Sequence, residues 1–129
     1  MKLGAVWGMY KPLRYDLLEE ALLVVTLCRP LIEVIQRKDR DLASWFFNHS
    51  SASQVRRAVS SISLNLAEAF GTAAGNARLR FETARGSMYE AQAGIRVAVA
   101  WDYLSAEQVQ PAVVAIDKLG GRVFGLARR

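Results

Sequence analysis

Residues 54–71 read QVRRAVSSISLNLAEAFG and carry two helical stripes side by side. Apolar side chains recur three and four residues apart, as on one face of an α-helix: Val55, Val59, Ile62 and Leu66. A polar set has the same spacing on the flanking stripe: Arg57, Ser61, Asn65 and Glu68. The segment therefore predicts a helix that packs on a core and forms hydrogen bonds with a neighbouring helix.

The chain before this stretch predicts an arm and a first helix. Residues 1–14 contain glycine and proline without a helical period, so we expect an N-terminal arm there. From residue 15 the pattern is helical to Arg37, with acidic residues in the first turns and basic ones in the last. Pro30 removes one backbone hydrogen bond, which predicts a kink or a break near residues 27–29.

The chain after this stretch predicts a third helix. Gly71 is expected to end the second helix in the left-handed conformation, and the third helix is expected to begin around Asn76. Its apolar seam has alternating spacings of three and four residues: Phe81, Ala84, Met88, Ala91, Ile95 and Ala98. The alanines in this seam permit close helix packing.

A fourth helix follows a capping signal. Ser105 and Gln108 have the spacing of a capping box. Pro111 and the pair Gly120 and Gly121 weaken the helical pattern, so we expect either close packing or partial unwinding at the glycines. The predicted fold class is all-α: residues 15–129 form a single domain, an up-down-up-down antiparallel four-helix bundle of left-handed twist.

Composition limits the class of protein. The chain has 129 residues, 52% of them hydrophobic and 22% charged, as in an ordered globular domain. No apolar run approaches the ~20 residues that cross a bilayer, and no secretory leader pattern is present, so we expect a cytoplasmic protein without membrane contact. Cys28 is the one cysteine and is expected in the core. The formal net charge of +5 favours polyanionic partners.

The sequence lacks the residues that metal sites and nucleotide-binding sites require. A ferritin-like di-iron site needs a Glu-x-x-His pair on each of two helices, but His49 is the one histidine and no glutamate stands three residues before it. No Gly-Lys-Ser/Thr phosphate loop is present. We therefore expect no catalytic residue, no metal and no cofactor.

The polar stripe has two interpretations. In the structural one, its four residues pair with Ser87 and Glu90 of the third helix, which satisfies buried polar groups. In the functional one, Glu68 and Glu90 are paired carboxylates of a catalytic pocket. We favour the structural network.

A second set of residues is typical of nucleic-acid binding. At 100° per residue, Arg78, Arg85 and Arg96 fall on nearly one line of the third helix. Tyr89 lies between them and can stack on a base, whereas the arginine forks match phosphate oxygens. Arg56 extends this surface only if folding brings it close. The alternative is a solvated face on which Glu82 partly neutralises Arg78.

The sequence resembles the 23S rRNA intervening-sequence protein family. Its members carry a helix of the form QxRRAxxSIxxN[IL]AEG, as in residues 54–71, and then an ARGSxxE-like helix, as in residues 81–90. Ser63 and Leu64 stand where a proline often occurs in the family, and Ala69 stands where glycine is common. The resemblance spans roughly residues 16–123 and implies a four-helix bundle that assembles into a homopentamer, as do related bundles, including retroelement accessory proteins.

We expect a non-enzymatic oligomeric bundle, an accessory factor of RNA or ribonucleoprotein. Leu64 supports assembly independently, because it projects away from the apolar face of its helix and is exposed unless another subunit covers it. The alternative is a protein-protein interaction scaffold with no nucleic-acid role.

Overall fold

Four α-helices make up the described part of the chain. The computed structural model describes residues 12–39, 51–71 and 74–127. The helices are α1 (Pro12–Lys38), α2 (Ser51–Phe70), α3 (Ala74–Ala100) and α4 (Ala106–Ala127). These ranges contain no strand, and the all-α fold class is confirmed.

The first helix begins earlier than predicted and is unbroken. α1 starts at Pro12 and not at residue 15, because a proline suits the first helical position, where the N–H it lacks has no helical partner. Residues 12–14 of the expected arm are therefore helical, and residues 1–11 lie outside the described residues. The helix runs through Pro30, so the predicted break does not occur, whereas the alternative, a kink, stays a prediction. Pro30 and Thr26 lie on the exposed side, where water can bond the carbonyl that the proline leaves free.

The second helix ends where the sequence predicted, but by another geometry. Gly71 follows α2 as a turn residue, and it does not have a positive φ. Its N–H donates to the Glu68 carbonyl at 3.1 Å, which tightens the last turn and bonds a carbonyl that would otherwise lack a partner. The left-handed conformation predicted for Gly71 is therefore wrong.

Among the described residues, Asp102 has the left-handed conformation, with a φ of 62°, and it ends α3. The Tyr103 N–H donates to the Ala98 carbonyl and the Asp102 N–H to the Val99 carbonyl, each at 2.9 Å. This pair of bonds is the Schellman motif that terminates many helices. Aspartate tolerates the conformation better than most residues, since its side chain is short and polar.

The predicted capping box begins α4. The Ser105 N–H donates to Gln108 Oε1 at 2.7 Å, and the Gln108 N–H donates to Ser105 Oγ at 3.1 Å. The helix then continues through Pro111, Gly120 and Gly121, without the unwinding considered from the sequence.

One core lies between the four helices. The predicted seam of α3 is buried along its whole length: Phe81, Ala84, Met88, Ala91, Ile95 and Ala98. The apolar stripe of α2 faces it: Val55, Val59, Ile62 and Leu66. α1 and α4 close the core with further buried side chains, among them Val24, Cys28, Ile35, Ile116, Leu119 and Val123.

The helices contact one another in a ring. Each helix packs on the next along the chain, and α4 packs on α1. α2 and α3 run in opposite directions, because Val55 meets Gly94 near one end of the pair and Glu68 meets Arg80 near the other. A methyl group on Gly94 would lie 2.5 Å from Val55 Cγ2, so the close approach requires glycine. The left-handed twist and the complete up-down-up-down order stay predictions.

Candidate nucleic-acid interface

A chain of hydrogen bonds joins α2 to α3 at the polar stripe. Asn65 Nδ2 donates to the Ser61 carbonyl and to Ser61 Oγ, both at 2.9 Å. Ser61 Oγ lies 2.7 Å from Ser87 Oγ, which donates to the Thr83 carbonyl at 3.2 Å. If Ser61 donates to Ser87, each hydroxyl donates once and accepts at least once. The arrangement satisfies polar groups in a helix interface, as a structural network does.

The other members of the predicted network lie elsewhere. Glu68 Oε2 bonds Arg80 Nε at 2.8 Å, while Arg57 and Glu90 are exposed. Arg80 and Glu90 are ten residues apart on α3, about 15 Å along a helix axis. Since Glu68 is level with Arg80, the two glutamates are not placed as the paired carboxylates of a catalytic pocket.

The arginine stripe lies on α3 beside α4. Arg78, Arg96 and Tyr89 are exposed. Arg85 is more covered, because its guanidinium donates to Glu82 Oε1 at 3.0 Å and lies 4.5 Å from the ring centre of Phe124 on α4. Glu82, which the spacing pairs with Arg78, binds Arg85 in the structure. Burial lowers the pKa of Arg85, but hydrogen bonds with Tyr89 and Glu82 keep it above its ordinary value, so the residue stays charged.

The structure does not bring Arg56 to this stripe. Its Nη2 donates to Gln36 Oε1 of α1 at 3.1 Å. It lines a groove between α1 and α2 together with Arg29, Val59 and Ser60. Position 56 faces α1 because the opposite flank of α2, at Ser61, packs on α3.

A second groove separates α3 from α4. From α3 it is lined by Arg85, Met88, Tyr89 and Gln92, and from α4 by Ile116, Asp117, Gly120, Gly121 and Phe124. Its volume is about 320 Å³, at the lower end of the range of ligand sites. Gln92 Nε2 donates to Asp117 Oδ1 at 2.5 Å across the groove. Sequence reasoning missed the α4 side, although the glycine pair in an otherwise regular helix was a signal for it.

Other basic residues are engaged in ion pairs. Arg122 joins α4 to α1 through Asp16 Oδ2 at 2.7 Å and Glu20 Oε2 at 2.6 Å. Lys118 Nζ lies 3.9 Å from Glu20 Oε1. The hydrogen bond from Arg122 is the main reason that the pKa of Asp16 lies below its ordinary value. Residues 128–129, the last two arginines, lie outside the described residues.

The described residues offer neither a metal-binding cluster nor a membrane-spanning helix. Within the described ranges, no three His, Cys, Asp or Glu side chains converge as metal ligands, and His49 lies outside those ranges. None of the four helices combines the length and apolar character needed for a bilayer crossing.

A family model described as "23S rRNA-intervening sequence protein" matches residues 23–124. No curated protein and no solved structure matches the chain.

Proposed function

This chain belongs to the 23S rRNA-intervening sequence protein family, and from that membership we propose that it is a non-enzymatic helical-bundle protein of the cytoplasm that associates with RNA. The family description names ribosomal RNA. The observation that carries the proposal is the exposed pair Arg78 and Arg96 on α3, with the exposed Tyr89 between them. The net charge of +5 supports the same partner, since it attracts polyanions.

Helix geometry supports phosphate contacts by this stripe. Arg78 and Arg96 are 18 residues apart, which is five helical turns and about 27 Å along α3. The two side chains therefore leave the same face of one helix. Arginine binds phosphate oxygens through a planar fork of N–H donors and stays charged, so the pair can hold two separated phosphates of one strand.

Salt dependence tests the proposal directly. Phosphate contacts release counterions, so we expect the affinity of the protein for a fluorescent single-stranded RNA to fall steeply between low and moderate salt. Anisotropy titrations at several salt concentrations give the slope. The absence of RNA binding at low salt would contradict the proposal.

We also propose that the protein is a homo-oligomer, a pentamer on the pattern implied by its resemblance to related bundles. Leu64 is 66% exposed and Leu79 is 60% exposed in the single chain, which leaves apolar surface for another subunit. Light scattering of the wild type is expected to give a multiple of the 14.3 kDa chain mass. A Leu64→Asp variant is expected to have a lower mass, whereas an Arg37→Asp variant at an exposed position of α1 is the control.

A protein-binding scaffold is the second candidate, and the exposed leucines favour it. Its binding would depend on apolar surface and would change little with salt. An oligomer that does not bind RNA but binds another protein with an affinity independent of salt would establish this candidate.

A further inference from the structure

Two residues of α4 that lack side chains, Gly120 and Gly121, line the groove between α3 and α4. A methyl group on Gly121 would meet no atom within 4 Å, and one on Gly120 would be 3.6 Å from Met88 Sδ. Close packing therefore does not explain this pair, although each glycine costs a helix about 1 kcal/mol relative to alanine. Position 121 lines the groove and has open space around it, so a larger side chain there fits without a clash and narrows the groove.

The walls of the groove offer flat surfaces. The Tyr89 side chain lines one wall and is 66% exposed. The Arg85 guanidinium lies on the opposite Phe124 ring, 4.5 Å from its centre, and Glu82 fixes its orientation. Tyrosine rings and arginine planes are the surfaces on which proteins stack unpaired bases.

A polar pair at the groove can read the edge of a base. Gln92 donates to one oxygen of Asp117, and a carboxylate has room for further donors. Its free acceptor capacity matches an exocyclic amino group, which cytosine, adenine and guanine present and uracil does not.

We propose that the groove lined by Arg85, Tyr89, Asp117 and Gly121 binds one unpaired nucleobase that carries an amino group. This inference rests on the proposed RNA association and adds the site that receives a base. The exposed Arg78 and Arg96 lie on the same helix, so the backbone of the same strand can contact them while one base enters the groove.

The test compares two RNAs that differ in this group. Fluorescent dodecamers of cytidine and of uridine are titrated at moderate salt, and their Kd values are compared. We expect cytidine RNA to bind about tenfold more tightly, the discrimination that one well-placed polar contact provides. Gly121→Leu narrows the groove at one of its lining positions and is expected to abolish the preference while leaving weak, salt-sensitive binding to both RNAs.

Matched variants distinguish an effect of changing the groove from an effect of any substitution in α4. Gly125→Leu alters a glycine on the same helix that also has no atom within 4 Å of an added methyl group and does not line the groove. It is expected to keep the preference for cytidine. Asp117→Asn keeps the shape but exchanges an acceptor for a donor, and is expected to lose or reverse the preference. Circular dichroism confirms that each variant is folded.

The results that would overturn the base site differ from those that would overturn RNA association. Equal binding of both RNAs by the wild type, unchanged in Gly121→Leu, would overturn the base site and leave the proposed RNA association intact. A failure of the wild type to bind either RNA at low salt would overturn both. A Gly121→Leu variant that binds RNA normally but has a different solution mass would also overturn the base site and assign the groove to a protein contact.

Discussion

Gly94 lies at a close approach between α3 and α2. A methyl group there would be 2.5 Å from Val55 Cγ2, and Val55 is itself buried in the core. We expect Gly94→Ala to lower the free energy of unfolding by about 1–3 kcal/mol, because overpacking forces the helices apart. Gly86 on the same helix is the control, since nothing lies within 4 Å of an added methyl group. Gly86→Ala should raise stability by about 1 kcal/mol through helix propensity alone. Urea unfolding measures both, and equal effects would contradict the packing argument.

Cys28 is fully buried on α1, and burial raises the pKa of its thiol to about 11. The thiolate is the reactive form, so the native protein at neutral pH should react very slowly with a thiol reagent such as a dithiobis-nitrobenzoate. The urea-unfolded chain should react at once and supplies the control. Rapid labelling of the native protein would show that α1 is not packed as described.

Single residues also show where sequence reasoning falls short. The sequence predicts the left-handed conformation at Gly71, because glycine adopts it freely, but the structure shows it at Asp102. The end of α2 has Gly71 and the end of α3 has Asp102, and each residue is able to adopt this conformation. The bonds that decide between them depend on the three-dimensional path of the chain after each helix.

The start of α4 depends on two reciprocal bonds between Ser105 and Gln108. Ser105→Ala removes the side-chain bond to the Gln108 N–H and should lower the free energy of unfolding by about 1 kcal/mol. Ser105→Asp keeps an oxygen at the cap and should restore stability. Thermal or urea unfolding followed by circular dichroism measures the difference. Equal stability of the alanine variant and the wild type would contradict a role for this cap.

The contact between α1 and α4 should weaken in acid. The hydrogen bond and the charge of Arg122 hold the pKa of Asp16 below its ordinary value of 3.8, with burial opposing them. The unfolded chain therefore takes up the proton first as pH falls. The contribution of this pair to stability is fully present above 3.8 and is lost as pH falls through the pKa of the folded state.

Asp16→Asn tests this pH dependence. The difference in unfolding free energy between wild type and variant should be constant from neutral pH down to about pH 5 and should shrink towards zero below the ordinary pKa. In an Arg122→Ala background the Asp16→Asn change should have a much smaller effect, because its partner is gone. A difference that stays constant at all pH values would show that the ion pair contributes nothing.

The helices were predictable because their signals are local. The seam of α3 and the capping box of α4 follow from the spacing of side chains along one element, and the structure agrees with both. The break expected at Pro30 failed, because a helix anchored along its length by a core tolerates one missing bond on its exposed side. Local patterns thus predict each helix, whereas tertiary packing decides whether a helix continues through a residue such as proline that weakens it.

The candidate site was only half predictable. The spacing of Arg78, Arg85 and Arg96 placed them on one face of α3, but nothing in the spacing showed that this face adjoins α4. Phe124 and Asp117 reach the site from a helix that is later in the chain. The sequence adds Arg56 to the stripe only if folding brings it close, and helix packing directs it to α1 instead.

The molecule as a whole combines a positive net charge with exposed apolar side chains on one compact set of helices. Charge supports the proposed association with RNA, and apolar surface supports the proposed assembly of identical chains. In an assembly each α3 stripe would be repeated, and the binding of one RNA by several stripes would raise the overall affinity without any new type of contact.

The most direct test of RNA association through α3 is the salt dependence of RNA affinity in two matched double variants. One replaces Arg78 and Arg96 by alanine. The other replaces Arg37 and Lys38, which are exposed at the end of α1, so that both variants lose the same charge. Each lost phosphate contact should reduce the slope of log K against log salt by about 0.7 for a single strand. We predict a reduced slope and weaker binding for the α3 variant, with the α1 variant keeping the slope of the wild type. Equal slopes in the two variants would contradict RNA binding by this stripe.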